Sequence, residues 1–520
     1  MALSLHRQLV RTHQIIQCLQ QRTHDRGLAT GRRLHQEYRS SRASSSNEAF
    51  ARTDARPTRQ NRNRSSNSYD TELNSSGGRG RARDFANRSP SVRNWHDVNV
   101  TVNGNAHSLA AVALRDLCAC PQCVDPSTKQ KLFYTPDIPK QIEADTVSQG
   151  SNSVTITWKN DVPGYGSDHN TEIPLDMLQR ILETGQPEIV LPVLRRSLWD
   201  ASTYAKETED FTYDSYMQDD SVLLKAAKQL HTHGLMFVKN VPESEESVVN
   251  LAERIGPLKT TFYGKTWDVR SVPDAKNVAY TSQNLGFHMD LMYMEQPPHL
   301  QLLHCIRSSS AGGASLFCDS FKTVQEIADS DEGTFAALAN FPAQFHYDHP
   351  GENYYHQSRT VIEQKPVQGR TINFPNWTAL LNARRKSPDI QWTQDLNVMD
   401  FVSSVAWSPP FQGPFRLRGD PRNADSTPNP ELAGEAYNRS VTRWHRAASK
   451  FNKLIHREDH IHERLMKPGE CVMFDNRRVL HARRAFDVGD VGKERWLKGA
   501  YIDQDPYLSK LKILREKLEV

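Results

Sequence analysis

No uninterrupted apolar run in this 520-residue chain approaches the ~20 residues that a membrane-spanning helix needs, so no membrane partner is expected and the chain reads as soluble. Cysteine is scarce as well: seven are spread over the whole length, three of them inside "CACPQC". That scarcity excludes a disulfide scaffold and points to a reducing compartment or a metal site. No internal repeat is present. A charge of one sign is also missing as a global feature, since the formal net charge is only +4. The positive excess sits before residue 95, in stretches such as "RQNRNR" and "GGRGRARDF", and the remainder is near balance or acidic, so no nucleic-acid partner is expected.

Residues 1–95 lack a sustained core pattern and are rich in Ser, Arg and Asn, a composition that buries too little to offset its ordering entropy. Within them Leu5, Leu9, Ile16 and Leu19 can share one helical face, Arg7 and Arg11 lie elsewhere, and no acidic residue precedes Asp25. This reads as a mitochondrial presequence; the alternative is a basic disordered tail on a cytoplasmic protein.

What is present begins near residue 96. Short β-rich runs, "VNVTV" and "SVTITW", lead to an amphipathic helix over "LDMLQRILET", which together predict a small domain over 96–190. A polar connector over 191–220 precedes a larger region, 221–520, opening with the helix "SVLLKAAKQLHTHG" and the strand "LMFVKNVP". The apolar runs "HLQLLHCI", "ASLFCD" and "CVMFD" alternate there with polar loops, and "AYNRSVTRWHRAASKFNKLI" predicts a longer helix. A mainly β protein with helices on the outside follows, either a β-sandwich or a jelly roll.

Two metal sites are expected. Cys118, Cys120 and Cys123 form C-x-C-x-x-C, with His169 further on. Three thiolates and an imidazole match the tetrahedral preference of structural zinc; the alternative is three buried reduced thiols. For non-haem iron(II), two imidazoles and one carboxylate are needed on one face of the metal. "GFHMD" offers His288 and Asp290, and "FHYD" offers His346 and Asp348 at the same spacing. The first pair is preferred, because a strand, a Gly-Gly turn and another strand follow it, whereas "FHYDHPGENYYHQ" reads as a polar hairpin. The third ligand falls on His481 of "FDNRRVLHARRAF". A 2-oxoglutarate cosubstrate would need an arginine near the metal, for which Arg483, Arg484 and Arg495 all qualify on spacing.

"NVAYTSQNLGFHMD", "PPHLQLLHCIRSSSAGGAS", "FDNRRVLHARRAF" and "RWLKGAYIDQDPYLSKLKILREKL" together resemble the γ-butyrobetaine dioxygenase branch of the 2-oxoglutarate-dependent oxygenases, and "LRDLCACPQC" resembles that branch's N-terminal zinc domain. The resemblance covers about residues 96–520. It implies a double-stranded β-helix (jelly-roll) catalytic domain, iron(II) on His288, Asp290 and His481, and zinc on Cys118, Cys120, Cys123 and His169. It also implies 2-oxoglutarate on Arg495 with a second contact at Ser315, O2 as cosubstrate, ascorbate as reductant and a homodimer. No catalytic residue beyond the iron site is implied. The branch's trimethylammonium cage falls on Tyr263, Trp267, Tyr280 and Tyr501, with Asn277 as a contact for the substrate's carboxylate.

The implied reaction is hydroxylation of 4-trimethylaminobutanoate (γ-butyrobetaine) to L-carnitine, the last step of carnitine biosynthesis, with succinate and carbon dioxide as coproducts. Two departures stand out. Arg477 replaces the usual Trp of "FDNW", and Pro375-Asn376 replaces an Asn-Asn pair after "INF". Trimethyllysine dioxygenase is the alternative within the family, and a non-catalytic quaternary-amine-binding protein the alternative outside it.

Overall fold

The computed structural model describes residues 97–189, 191–270, 281–308, 312–368, 373–386, 396–415, 430–487 and 495–520. The expected presequence, Asn277 and Tyr280 lie outside the described residues.

The N-terminal region opens on alternation. In Asp97–Val102 the valines at 98, 100 and 102 turn inward and their neighbours outward, as a half-buried strand requires. It pairs antiparallel with Asn105–Ala110 across a two-residue turn in which Asn103 and Gly104 both have positive φ, the turn chemistry an Asn-Gly pair supplies. Strands Ala144–Gln149, Ser153–Trp158 and Asn170–Pro174 form a separate antiparallel sheet, and Leu175–Thr184 is the expected helix, closed by Gly185 at φ 79°. Val154, Ile156, Ile173 and Leu178 share a core with Cys118 and Cys123, which ties the cysteine loop to the sheet.

The larger region is built on two sheets. Six strands run in the order Asp210–Thr212, Leu235–Lys239, Glu470–Asp475, Leu300–Arg307, Trp496–Ile502, Thr266–Val269. Four more run Ile461–Arg464, Ser315–Asp319, Val479–Arg483, Leu285–His288. All pairs are antiparallel except the first of the six-stranded sheet. Side-chain alternation divides the larger sheet: Leu300, Leu302, Met473 and Ile502 face helices Asp220–Thr232, Ser247–Ile255 and Gln504–Glu519, while Phe237, Leu303, Phe474 and Tyr501 face the smaller sheet. Edge-to-face contacts of Phe317 with Phe237 and Phe474, centroids 5.8 and 5.7 Å apart, join the two sheets.

Residues 191–220, expected as a polar connector, carry helices Ala201–Glu207 and Tyr213–Gln218 and the edge strand Asp210–Thr212. They bury Trp199, Tyr204, Phe211 and Tyr216, four aromatics whose payload the surrounding charges conceal in sequence. The helix Gln504–Glu519 was not anticipated, although Tyr507, Leu511 and Leu514 recur at helical spacing and are buried. The long helix Pro430–Ile455 lays Trp444, Ala447, Phe451 and Ile455 into the core between the sheets.

Candidate active site and metal centres

His288 is the last residue of its strand, and Asp290 lies beyond that strand in a turn where Leu291 takes φ 57°. A turn at the strand end therefore brings the carboxylate to the imidazole. His481 sits mid-strand directly opposite His288 in the antiparallel ladder, with ring centroids 4.0 Å apart. Nε2 of His288 and of His481 lie 3.4 and 3.9 Å from Asp290 Oδ1. Ligand atoms of all three residues lie within 4.8 Å of one another.

The surroundings orient each group. Nδ1 of His288 is 2.9 Å from the Gly286 carbonyl, to which it donates, and this leaves the Nε2 lone pair toward Asp290. Tyr501 donates its hydroxyl to Asp290 Oδ2 at 2.7 Å, so Oδ1 is the oxygen left beside the imidazoles. Asn476 clamps the turn by accepting from the Asp290 amide and donating to the Asp290 and Pro298 carbonyls. Burial opposes the Asp290 anion, but His288, His481 and the Tyr501 hydroxyl outweigh it and hold the carboxyl well below the usual range. Burial and the charge of His288 push the His481 imidazole down to about 3, so it is a neutral ligand at physiological pH. Two imidazoles and one carboxylate on one side of a cavity match the donor set of a non-haem iron(II) centre with open positions.

The same cavity is lined by Ser315, Arg483 and Arg495 and by the aromatic residues Tyr263, Trp267 and Tyr501. Ser315 and Arg483 face each other across neighbouring strands. Arg495 is 4% exposed, and no carboxylate of the described residues lies within ion-pair distance of it. Burial pushes its guanidinium down to about 10, which still leaves it charged. A buried guanidinium with no carboxylate of the described residues beside it has the chemistry to receive an anion such as a carboxylate. Arg483 donates instead to the Thr281 and Gln283 carbonyls, and Arg484 pairs with Glu463 in solvent.

Trp267 stacks on Tyr501 with centroids 3.9 Å apart and planes at 22°. Tyr293 and Phe411, not singled out in the sequence, also line the cavity; a lone aromatic carries no signal that ordinary packing would not produce equally well. His346 and Asp348 lie in the hairpin Ala343–His349/Asn353–Arg359 and join no three-ligand group among the described residues. Asn376 Oδ1 accepts from the Ala379 amide and so caps helix Trp377–Lys386, while Arg477 donates to Gln504 and the Pro297 carbonyl.

In the N-terminal region the Sγ atoms of Cys118, Cys120 and Cys123 lie 3.6, 3.5 and 3.3 Å from His169 Nε2. A tetrahedral centre with Zn–S of ~2.3 Å and Zn–N of ~2.0–2.1 Å has S···N edges of about 3.5 Å. The four residues thus fit zinc. His169 Nδ1 meets Asp161 at 2.6 Å, and Asp161 in turn accepts from buried Arg115, whose Nη1 reaches Cys123 Sγ at 3.4 Å. This carboxylate–histidine pair orients the ligand, and sequence reasoning missed both partners.

Residues 200–501 match the model of the taurine catabolism dioxygenase TauD, TfdA family, and residues 94–173 match the gamma-butyrobetaine hydroxylase-like N-terminal model. Dioxygenase str8 of Strobilurus tenacellus is 31% identical over 417 residues, covering 77% of this chain and 84% of its own. Human gamma-butyrobetaine dioxygenase is 27% identical, with 79% and 92% covered. Mouse mitochondrial trimethyllysine dioxygenase is 25% identical, with 81% and 87% covered. Since the first model spans more than half of the sequence, and a relative above 30% identity is matched over most of its length, the chain belongs to the TauD, TfdA family and is a 2-oxoglutarate-dependent dioxygenase.

Proposed function

We propose that this dioxygenase hydroxylates 4-trimethylaminobutanoate to L-carnitine, releasing succinate and carbon dioxide. The observation that carries the reading is the wall of Tyr263, Trp267 and Tyr501 in the cavity that also holds His288, Asp290 and His481. A quaternary ammonium has no proton to donate, so aromatic faces are its strongest neutral partners. Tyr280, outside the described residues, would complete the cage, and Asn277 would meet the carboxylate.

His288, Asp290 and His481 would hold iron(II), which supplies the oxidising chemistry when bound, with ascorbate keeping it reduced. Arg495 and Ser315 would seat 2-oxoglutarate. The rest of the chain's work is placement: the rings fix the cation at one end, and the apolar lining excludes water. Zinc on Cys118, Cys120, Cys123 and His169 would be structural, because four protein ligands leave no open position. We further propose a double-stranded β-helix for the two-sheet region, the boundaries 96–190, 191–220 and 221–520, a homodimer, and mitochondrial import directed by the first 95 residues.

One observation favours a second reading, a related trimethylammonium substrate such as trimethyllysine. Asn376 is engaged in a helix cap, and Pro375 beside it has no donor to offer a carboxylate. Succinate formation with iron(II), 2-oxoglutarate and ascorbate separates the two readings, using 4-trimethylaminobutanoate, trimethyllysine and the neutral analogue 5,5-dimethylhexanoate. The cationic acid should be strongly preferred over its neutral analogue. Trp267→Leu should lose roughly 2- to 30-fold in kcat/KM for the cation and little for the neutral acid. Equal use of both by the unaltered enzyme would sink the cage, and a wide preference for trimethyllysine would establish the second reading.

A further inference from the structure

Strand Leu300–Arg307 places Gln301 on its cavity-facing side together with Leu303, while Leu300 and Leu302 face the helices. Gln301 is 2% exposed, and its Oε1 has no hydrogen-bond partner among the described residues. A buried carboxamide oxygen without a partner is destabilising, and an apolar side chain would fill this position without that loss. The oxygen and nitrogen of a carboxamide exchange by a half-turn, so the group can offer the cavity either a donor or an acceptor.

Its position decides which ligand it meets. Gln301 is opposite Tyr501 on one side and Phe474 on the other. The Tyr501 hydroxyl bonds Asp290, and the Phe474 ring lies 4.9 Å from that of His481, so both neighbours touch the metal triad. Four residues along the same strand, Cys305 lies within electrostatic reach of Arg495. The strand therefore runs from the triad to the Arg495 guanidinium, the span a short dicarboxylate must bridge to touch both.

We propose that Gln301 is a cosubstrate-binding residue that donates a hydrogen bond from its carboxamide to the 2-oxo acid end of 2-oxoglutarate. This rests on the proposed placing of the other carboxylate at Arg495. The test is anaerobic titration of the iron(II)-loaded full chain with 2-oxoglutarate, followed by the visible charge-transfer absorbance, with iron content and Tm measured alongside. Gln301→Met, close in shape and without a donor, should weaken binding about 10-fold with iron content unchanged, the loss expected for one hydrogen bond to a charged group. Gln301→Glu should weaken it further by setting like charges together. Arg495→Leu is titrated in parallel, so that a failure of the Arg495 assignment shows separately from a failure at Gln301. Affinity for 2-oxoglutarate within twofold of the unaltered protein in both Gln301 variants would overturn the proposal, as would a loss confined to the primary substrate.

Discussion

Asp290 has two oxygens with different surroundings. Tyr501 occupies Oδ2 at 2.7 Å, and Oδ1 is left beside both imidazoles. Tyr501 also stacks on Trp267, so one side chain serves the ligand carboxylate and the aromatic wall together. Tyr501→Phe separates these roles, because it keeps the ring and removes the hydroxyl. Iron(II) affinity is expected to fall about 10- to 100-fold, the range for loss of a partner that orients a metal ligand, with little change in selectivity for the cation over its neutral analogue. Metal titration by calorimetry checks the first statement, and unchanged affinity would mean that Asp290 is oriented by Asn476 alone. The residues that the fold gathers into two candidate metal groups were legible in sequence because metals demand particular atoms at particular spacings. Asp161, Arg115 and Asn476 were not: each acts through a side chain arriving from another part of the chain, and nothing in its own neighbourhood marks it. Spacing alone also left two H-x-D pairs and three arginines open. Their surroundings differ: His346 lies in a hairpin, Arg483 donates to backbone carbonyls, Arg484 is paired in solvent, and Arg495 is buried with no carboxylate of the described residues within ion-pair distance.

Elements position the site by close approach as well as by hydrogen bonding. Gly499 lies opposite Trp267 in neighbouring strands, and a Cβ at Gly499 would overlap the indole ring. Gly499→Ala must therefore displace Trp267 from Tyr501 or separate the strands. The expected result is a stability loss of about 1–3 kcal/mol, as for other overpacked sites, with a larger loss of kcat/KM for the cation than for its neutral analogue. Urea unfolding and paired kinetics read the two effects, and an unaltered ratio between substrates would remove Trp267 from recognition. The inner strands Leu300–Arg307 and Glu470–Asp475 of the same sheet were readable as apolar runs, because both of their faces are covered and few polar positions interrupt them. Short elements were harder to read. Asp210–Thr212 is three residues long and carries one buried side chain, Phe211, too little for any period to register.

At the scale of the whole molecule, five of the described histidines have a pKa lowered by burial and bear on acid stability, His231 and His299 among them. Burial pushes His481 to about 3 and His304 and His462 to about 4, all from an ordinary 6.5. Each folded value lies below its unfolded one, so the unfolded chain binds more protons as the pH falls through 6.5. Their contribution is complete above that pH and is lost progressively toward 4 and then 3. Asp290, held below the carboxylate range, adds its own loss only below about pH 4. The metal-free protein should thus lose stability from pH 7 to pH 5 as these histidines take up protons on unfolding, at about 1.4 kcal/mol per pH unit for each ring that contributes fully. Urea midpoints at pH 7, 6 and 5 measure it, and a flat profile would contradict the burial of these rings.

The strand Leu285–His288 lies at the edge of the four-stranded sheet, and its ladder with Val479–Arg483 is irregular between His481 and Arg483. A metal held by His288 and His481 would fasten this edge through its side chains at the point where backbone pairing falters. Loading would then act as a late stitch in assembly: the fastener closes only once two distant stretches of chain have found their register, and a one-residue slip turns His481 to the opposite face of its sheet. Amide exchange over 285–288 would slow on loading more than exchange in the interior of the six-stranded sheet, so the catalytic metal would double as a seal on the sheet's open border.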